Sequence, residues 1–453
     1  MHLKVYNTYS RQKEDFVPLN PDHIGLYVCG PTVYDFAHIG NARPVVVFDI
    51  LNRLLRHLYP QVTYVRNITD VDDKINAAAK ASGESIRTIT ERTTQAYNED
   101  MAALGALVPD VTPRATEHIN EMIEMIERLV DQGHAYAADG HVLFAVRTFT
   151  DYGKLSRRNQ DELLAGARVE IAPYKRDAGD FVLWKPSDEE TPGWESPWGR
   201  GRPGWHIECS AMSEKYLGKT FDIHGGGIDL SFPHHENELA QSCCANKTAY
   251  FAQYWMHNGH LTVNGEKMSK SLGNFYTVRE LLDDFKGEAL RYMLISAHYR
   301  QPLDLSKDLI RQCQASLDRL YGALRGLKIA EEASIHPDVM AALLDDMNVP
   351  LALSHLHELA SQINKASEVE EKQKLAAVLK ASSVLLGILQ QDPELWFQGE
   401  MDLNTTEIEN LIKRRNEARA ARDFAEADHL RQHLLDLGVV LEDSASGTTW
   451  RRA

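Results

Sequence analysis

Four side chains far apart in the sequence have the chemistry of zinc ligands. Cys29 closes a short apolar run, Cys209 lies in Gly204-Trp205-His206-Ile207-Glu208-Cys209-Ser210-Ala211-Met212, and His234 and Glu238 stand four residues apart. A spacing of i, i+4 puts the last two on one face of a helix, and two thiolates, an imidazole and a carboxylate suit a single ion. Spacing alone leaves other accounts open. The cysteines are 180 residues apart, His235 also has Glu238 three residues on, and a buried cysteine pair beside a surface His–Glu pair uses the same residues.

Two further segments suit phosphate. His38-Ile39-Gly40-Asn41 falls where a strand gives way to a helix; helix N-terminal amides attract anions, glycine lets a flat base approach, and histidine can donate to a phosphoryl oxygen. Lys267-Met268-Ser269-Lys270-Ser271 sets two ammonium groups three apart among small polar residues. Either string alone is also met as a solvated turn.

The elements that must carry these residues alternate between strand and helix. Ile24–Val28 reads as a strand, a helix opens near His38 with Pro44 in its first turn, and Val62–Thr69 alternates like the next strand. The spacing predicts a parallel-sheet nucleotide-binding fold. A long insertion follows: a helix over Ala115–Asp131, a hairpin about Asp139-Gly140, a charged stretch, and the ordered or hinged loop Thr191–Gly204. The sheet resumes with strands at Thr220–His224 and Tyr254–His257. Beyond the capping box at Thr277–Glu280 the apolar residues recur mostly at helical intervals, with helices near Ser306–Arg325, Asp345–Lys365, Lys372–Gln390 and Thr405–Asp436. The predicted organisation is α/β: catalytic halves at 1–115 and 201–300 around an insertion at 116–200, a helical bundle at 301–395, and a small terminal domain at 396–453.

Composition agrees with a globular chain of several domains: 453 residues, 43% hydrophobic and 25% charged. No apolar run reaches membrane-span length and Met1–Asp15 lacks the pattern of a signal peptide, so a cytoplasmic protein without a membrane partner is expected. Five cysteines are too sparse for a disulfide framework. A net charge of −16 argues against nucleic-acid binding over the whole surface, yet Leu411–Ala453 carries eight Lys and Arg against seven Asp and Glu.

Taken together and in this order, the two phosphate segments resemble the paired signatures of class I aminoacyl-tRNA synthetases, with Asn41 replacing the final histidine of the first. YVCGPTVYDFAHIGNARP, GWHIECSAM, GGGIDLSFPHHENE and GEKMSKSLGN narrow the resemblance to the cysteinyl-tRNA synthetase family, and it runs on to the final GTTWRRA. The resemblance implies a Rossmann-like catalytic domain with a C-terminal anticodon-binding domain. It implies ligation of L-cysteine to tRNA(Cys) through a cysteinyl-adenylate, using ATP with Mg2+. Catalytic His38, Asn41, Lys267 and Lys270 would bind ATP together with Gly40, Ser269 and Ser271. One Zn2+, held by Cys29, Cys209, His234 and Glu238, would select the substrate thiolate.

The same resemblance places Gly30, Thr69, Trp205 and Asp229 about the bound cysteine, and implies a monomer. In the tail, Arg414, Arg415, Arg419 and Arg422 accompany Phe424 and Asp428; cations beside an aromatic can hold phosphate and stack a base, and a carboxylate can accept from an exocyclic amine. Arg414, Arg419, Phe424 and Asp428 are the candidate tRNA contacts. Two rivals remain: a cysteine ligase that passes cysteine to an amino sugar, which lacks an anticodon domain, and a non-catalytic zinc-dependent RNA-binding protein, which would not require both phosphate elements.

Overall fold

The computed structural model describes residues 2–158, 172–268, 273–330, 333–399, 403–444 and 447–452. The chain divides into two compact units, residues 1–313 with 337–353, and residues 314–336 with 354–453.

The first unit is organised by a four-stranded parallel sheet. We number its strands and flanking helices β1 (Ile24–Val28), α1 (Ile39–Leu58), β2 (Val62–Arg66), α2 (Trp205–Leu217), β3 (Phe221–Gly227), α3 (His234–Asn246) and β4 (Ala252–Asn258). The spatial order is β4-β3-β1-β2, with Leu26 opposite both Ile223 and Tyr64. β1 and β3 are buried at every position, which is why they read as continuous apolar or glycine-rich runs rather than as alternation. Chain order runs outward in opposite directions from β1 and β3. The C-terminal ends of these two strands therefore open a crevice, the usual ligand position in such sheets.

The insertion forms its own antiparallel sheet, Ala135–Ala138, His141–Phe144, Phe181–Pro186 and Gly201–Pro203, with the anticipated hairpin turning at Asp139 and Gly140, both at positive φ. Its apolar side shares a core with Cys29, Ile207, Cys209 and Met212. The insertion is thus packed against Cys29 at the end of β1 and Cys209 on α2.

Several local expectations need correction. Pro44 lies in the second turn of α1, because the helix begins at Ile39; its ring leaves the Gly40 carbonyl without the usual helical donor. Ala115–Asp131 divides into a 3-10 turn, Ala115–Glu117, and a helix, Ile119–Asp131. Thr405–Asp436 is two helices, Leu403–Ala420 and Phe424–Asp436, since Arg422 takes a left-handed conformation and Asp423 caps the second helix by accepting from the Glu426 amide. The final residues are not helical: Val439–Ser444 and Gly447–Arg452 form a hairpin whose Val439 and Trp450 pack with Ile408, Ile412, Leu430 and Leu434. No helix among the described residues is long and apolar enough to cross a membrane.

Candidate metal and nucleotide site

Cys29 follows β1 directly, Cys209 lies in the second turn of α2, and His234 and Glu238 lie one turn apart at the start of α3. All four side chains are buried. The Cys29 and Cys209 sulfurs are 3.6 Å apart, Glu238 Oε1 is 3.5 Å from Cys29 Sγ, and His234 Nε2 is 3.0 Å from Glu238 Oε1. Tetrahedral zinc with sulfur at about 2.3 Å and nitrogen or oxygen at about 2.0–2.2 Å would set these edges at about 3.8, 3.6 and 3.4 Å. The two edges to sulfur agree to about 0.2 Å, the His234–Glu238 edge is about 0.4 Å shorter, and all four donor atoms lie within 4.8 Å of one another, so the donor set suits that ion. The pairing of buried cysteines with a surface His–Glu pair is excluded, because His234 and Glu238 are 1% and 0% exposed.

Protonation divides the four donors: His234 and Glu238 stand ready to ligate, whereas the two thiols must each lose a proton to do so. Burial pushes the Cys29 thiol well above its ordinary value and raises that of Cys209. Burial also lowers His234 to about 3, leaving it a neutral imidazole, while its Nδ1 lies 3.0 Å from His206 Nδ1. For Glu238, burial works to raise the pKa, but the imidazoles of His224 and His234 outweigh it and hold the carboxyl low. A second set, Cys29, His224, His235 and Glu238, also converges. The two sets share Cys29 and Glu238, so a single ion must choose, and the set with two thiolates has the softer donors.

Around these ligands lie the predicted pocket residues. Trp205 opens α2 with its ring stacked on His234, 4.2 Å between centroids. The Gly30 amide donates to Asn67 Oδ1 at 2.8 Å, and a Cβ on Gly30 would fall 1.6 Å from the Asn67 carbonyl oxygen, so only glycine fits. Asn67 Nδ2 donates to Thr69 Oγ1 at 3.2 Å, and Thr69 Oγ1 donates to Glu208 Oε2 at 2.9 Å. Asp229 is exposed on the 3-10 turn after β3. Asn67, Glu208, His206 and His224 were not singled out from sequence. Asn67 had a usable signal, since it follows β2 as Cys29 follows β1, whereas the burial of Glu208 on α2 is decided by packing.

His38 caps α1, where Asn41 Oδ1 accepts its backbone N–H at 3.2 Å. Burial lowers the His38 pKa, and the Asp229 carboxylate acts in the opposite direction, which puts these two candidates within electrostatic reach. Lys267 belongs to the two-residue strand Glu266–Lys267, paired with Leu261–Val263. Ser269, Lys270 and Ser271 lie outside the described residues, but both flanks meet the start of α1. A Cβ on Gly40 would lie 2.7 Å from Met268 Cε, the Ile39 amide donates to the Tyr276 carbonyl at 3.0 Å, and the Val278 amide donates to the Ala37 carbonyl at 2.9 Å.

Comparison with known proteins bears on the whole chain. Models of the class I (C) tRNA synthetase catalytic domain, the DALR domain and the cysteinyl-tRNA ligase anticodon-binding domain match residues 15–315, 338–390 and 404–451. The chain belongs to the cysteine–tRNA ligase family. It is 63% identical over full length to the Cysteine--tRNA ligase of Paramagnetospirillum magneticum and 61% identical to that of Rhodospirillum rubrum, covering 100% of each. At 12% identity and a TM-score of 0.59, 84% of the chain superposes on 86% of the LeuRS of Agrobacterium radiobacter K84, which confirms the class I fold. A methionyl-tRNA synthetase of Mycobacterium tuberculosis gives a TM-score of 0.55 at 15% identity, over 82% of this chain and 90% of that one.

The tRNA candidates sit in the second unit. Arg414 is exposed and pairs with Glu426 at 3.2 Å; Arg419 pairs with Asp443 at 3.0 Å; Phe424, 65% exposed, opens its helix; and Asp428 faces solvent. Arg415 differs from its neighbours. It is buried and clamps Asp443 with two hydrogen bonds of 2.9 and 2.7 Å, joining the helix to the terminal hairpin.

Proposed function

We propose that the chain condenses L-cysteine with Mg-ATP to cysteinyl-adenylate and pyrophosphate, then passes the cysteinyl group to the terminal ribose of tRNA(Cys). Family membership supports the ligase activity, and the convergence of Cys29, Cys209, His234 and Glu238 carries the choice of amino acid. These four would hold zinc, which when bound supplies a soft electrophilic site for a thiolate. Serine offers only a hard, weakly acidic alcohol to the same contact, and a site built on a required polar contact rejects the wrong analogue by about 10⁴ or more.

The chain's own residues then arrange the reactants. Gly30, pinned by Asn67, and Thr69, pinned by Glu208, frame the substrate beside the Trp205 ring, and Asp229 receives its ammonium group. His38, Gly40 and Asn41 receive ATP at the positive end of α1. The cysteine carboxylate attacks the α-phosphate and the bond to pyrophosphate breaks. Lys267 and Lys270, with Ser269 and Ser271, neutralise the charge that builds on the departing group. Arg414, Arg419, Phe424 and Asp428 read the anticodon. The reading includes a cytoplasmic monomer.

Cysteine-dependent exchange of pyrophosphate into ATP, measured beside tRNA charging and metal content, tests this directly. The expected result is one zinc per chain, exchange with cysteine far above that with serine, and charging of tRNA(Cys). Exchange without charging would leave a cysteine ligase with another acceptor, and equal exchange with serine would refute the metal-based selection.

A further inference from the structure

Arg43 lies two residues beyond Asn41 on α1 and has no exposed surface. Its Nη1 donates to the carbonyls of Gly259 at 2.7 Å and His260 at 2.6 Å, and its Nη2 donates to the carbonyl of Gln301 at 2.6 Å. Among the described residues no carboxylate pairs with it, and burial lowers its pKa only to about 10, so it is a cation at neutral pH. Burying an unpaired charge is costly, which makes a merely space-filling role an unsatisfactory account of it.

The three carbonyls belong to the root of one small sheet. Gly259 and His260 lead into the strand Leu261–Val263, and Gln301 precedes the strand Leu303–Leu305, which runs parallel to it with Leu261 opposite Leu303. The two roots are also bonded to each other, His260 carbonyl to Leu303 amide at 2.9 Å and Gly259 amide to Tyr299 carbonyl at 2.8 Å. The approach at Gly259 is as close as backbone allows, since a Cβ there would fall 2.5 Å from the Gln301 carbonyl oxygen. The third strand of the sheet is Glu266–Lys267, with Lys267 opposite Thr262. One guanidinium on the helix that presents His38 and Asn41 thus grips both root strands of the sheet that carries Lys267.

Building on the activation chemistry proposed above, we infer that Arg43 is a positioning residue for adenylate formation: it ties the Lys267 sheet to α1, so that the two phosphate-binding elements keep a fixed spacing. Charge in that transition state extends from the α-phosphate to the departing pyrophosphate, so groups on both elements must be in register. A misplacement near 1 Å costs about 10²-fold in such cases. Lysine cannot substitute, because a point ammonium cannot fork between two strands. Transfer of the cysteinyl group to tRNA involves no pyrophosphate, so it should be nearly indifferent to this tie.

The test compares Arg43→Lys and Gly259→Ala with the wild-type chain in three measurements: steady-state pyrophosphate exchange, single-turnover transfer from preformed cysteinyl-adenylate, and thermal unfolding. Both variants should lose about 10–100-fold in kcat for exchange, with the KM for cysteine and the transfer rate within about twofold of wild type. Equal losses in exchange and transfer, unchanged exchange in folded variants, or failure of both variants to fold would each overturn the proposal and leave Arg43 as a core residue. Absence of cysteine-dependent exchange in the wild-type chain would instead refute the underlying assignment of function.

Discussion

Loading the metal-free protein with zinc should release two protons per ion, both from cysteine. Four groups meet in the cluster, and their protonation states differ for physical reasons visible in the structure. Burial keeps the Cys29 and Cys209 thiols protonated above the ordinary thiol range, and with sulfurs 3.6 Å apart a thiolate at one opposes a thiolate at the other. Burial has already emptied His234 of its proton, with a pKa of about 3, and although burial works to raise Glu238, hydrogen bonds from His224 and Cys29 help to hold its carboxyl low. Between about pH 5 and 8 the metal-free site is therefore two thiols, a neutral imidazole and a carboxylate, and only the thiols have protons to give up. Apparent affinity should rise with pH at a slope of about two decades per unit, equivalent to about 2.7 kcal/mol per unit. Cys209→Ser removes one of the two acidic donors, so its slope should fall to about one and its affinity should drop. Titration with a chelator as competitor over this pH range, with calorimetry in buffers of different ionisation enthalpy, gives the proton count without reference to activity. A count near three would mean that His234 binds a proton in the metal-free protein, and a count of one or none would mean that a thiolate exists there before the metal arrives; either result refutes the reasoning.

Three further outcomes follow from particular contacts. Gly30→Ala forces a Cβ to within 1.6 Å of the Asn67 carbonyl oxygen, so it should displace the Cys29 segment, lower Tm and reduce zinc content, measured together on purified protein. Asp49, buried, accepts from Arg291 at 2.5 Å, Arg53 at 2.8 Å and the Leu107 amide at 2.8 Å, so Asp49→Asn should cost about 3–5 kcal/mol at pH 7 by denaturant unfolding. Although burial works to raise the Asp49 pKa, Arg291 and Arg53 hold it below its unfolded value; its stabilisation is present above the unfolded value, near pH 4, and is lost as pH falls through the folded one, so the gap between variant and wild type should narrow in acid. In the second unit, Arg415→Ala should lower Tm by breaking the clamp on Asp443, whereas exposed Arg414→Ala should leave Tm unchanged, weaken tRNA binding and reduce its salt slope by about one.

The sequence by itself determined the elements whose periodicity is local and the motifs whose residue types are rare. β1 reads as a strand because Ile24–Val28 is a short apolar run, the start of α1 is announced by the chain that precedes it, and the hairpin at Asp139-Gly140 is written in its turn residues. The family was legible as well, through residue strings spread along most of the chain. Periodicity was silent on the terminal hairpin, where Thr448, Thr449 and the arginines mask the one apolar side, and on the break at Arg422, where a non-glycine residue takes a positive φ that no local rule demands. Only tertiary structure decided that Cys29, 180 residues from Cys209, stands 3.6 Å from it, because that distance is set by adjacent parallel strands and by the helices packed over them. The same packing chose between a buried and a surface position for His234 and Glu238, gave Thr69 and Gly30 their partners in Glu208 and Asn67, and buried Arg43 against carbonyls more than two hundred residues away. Backbone carbonyls carry no residue identity, so a partner of that kind leaves no mark in the sequence.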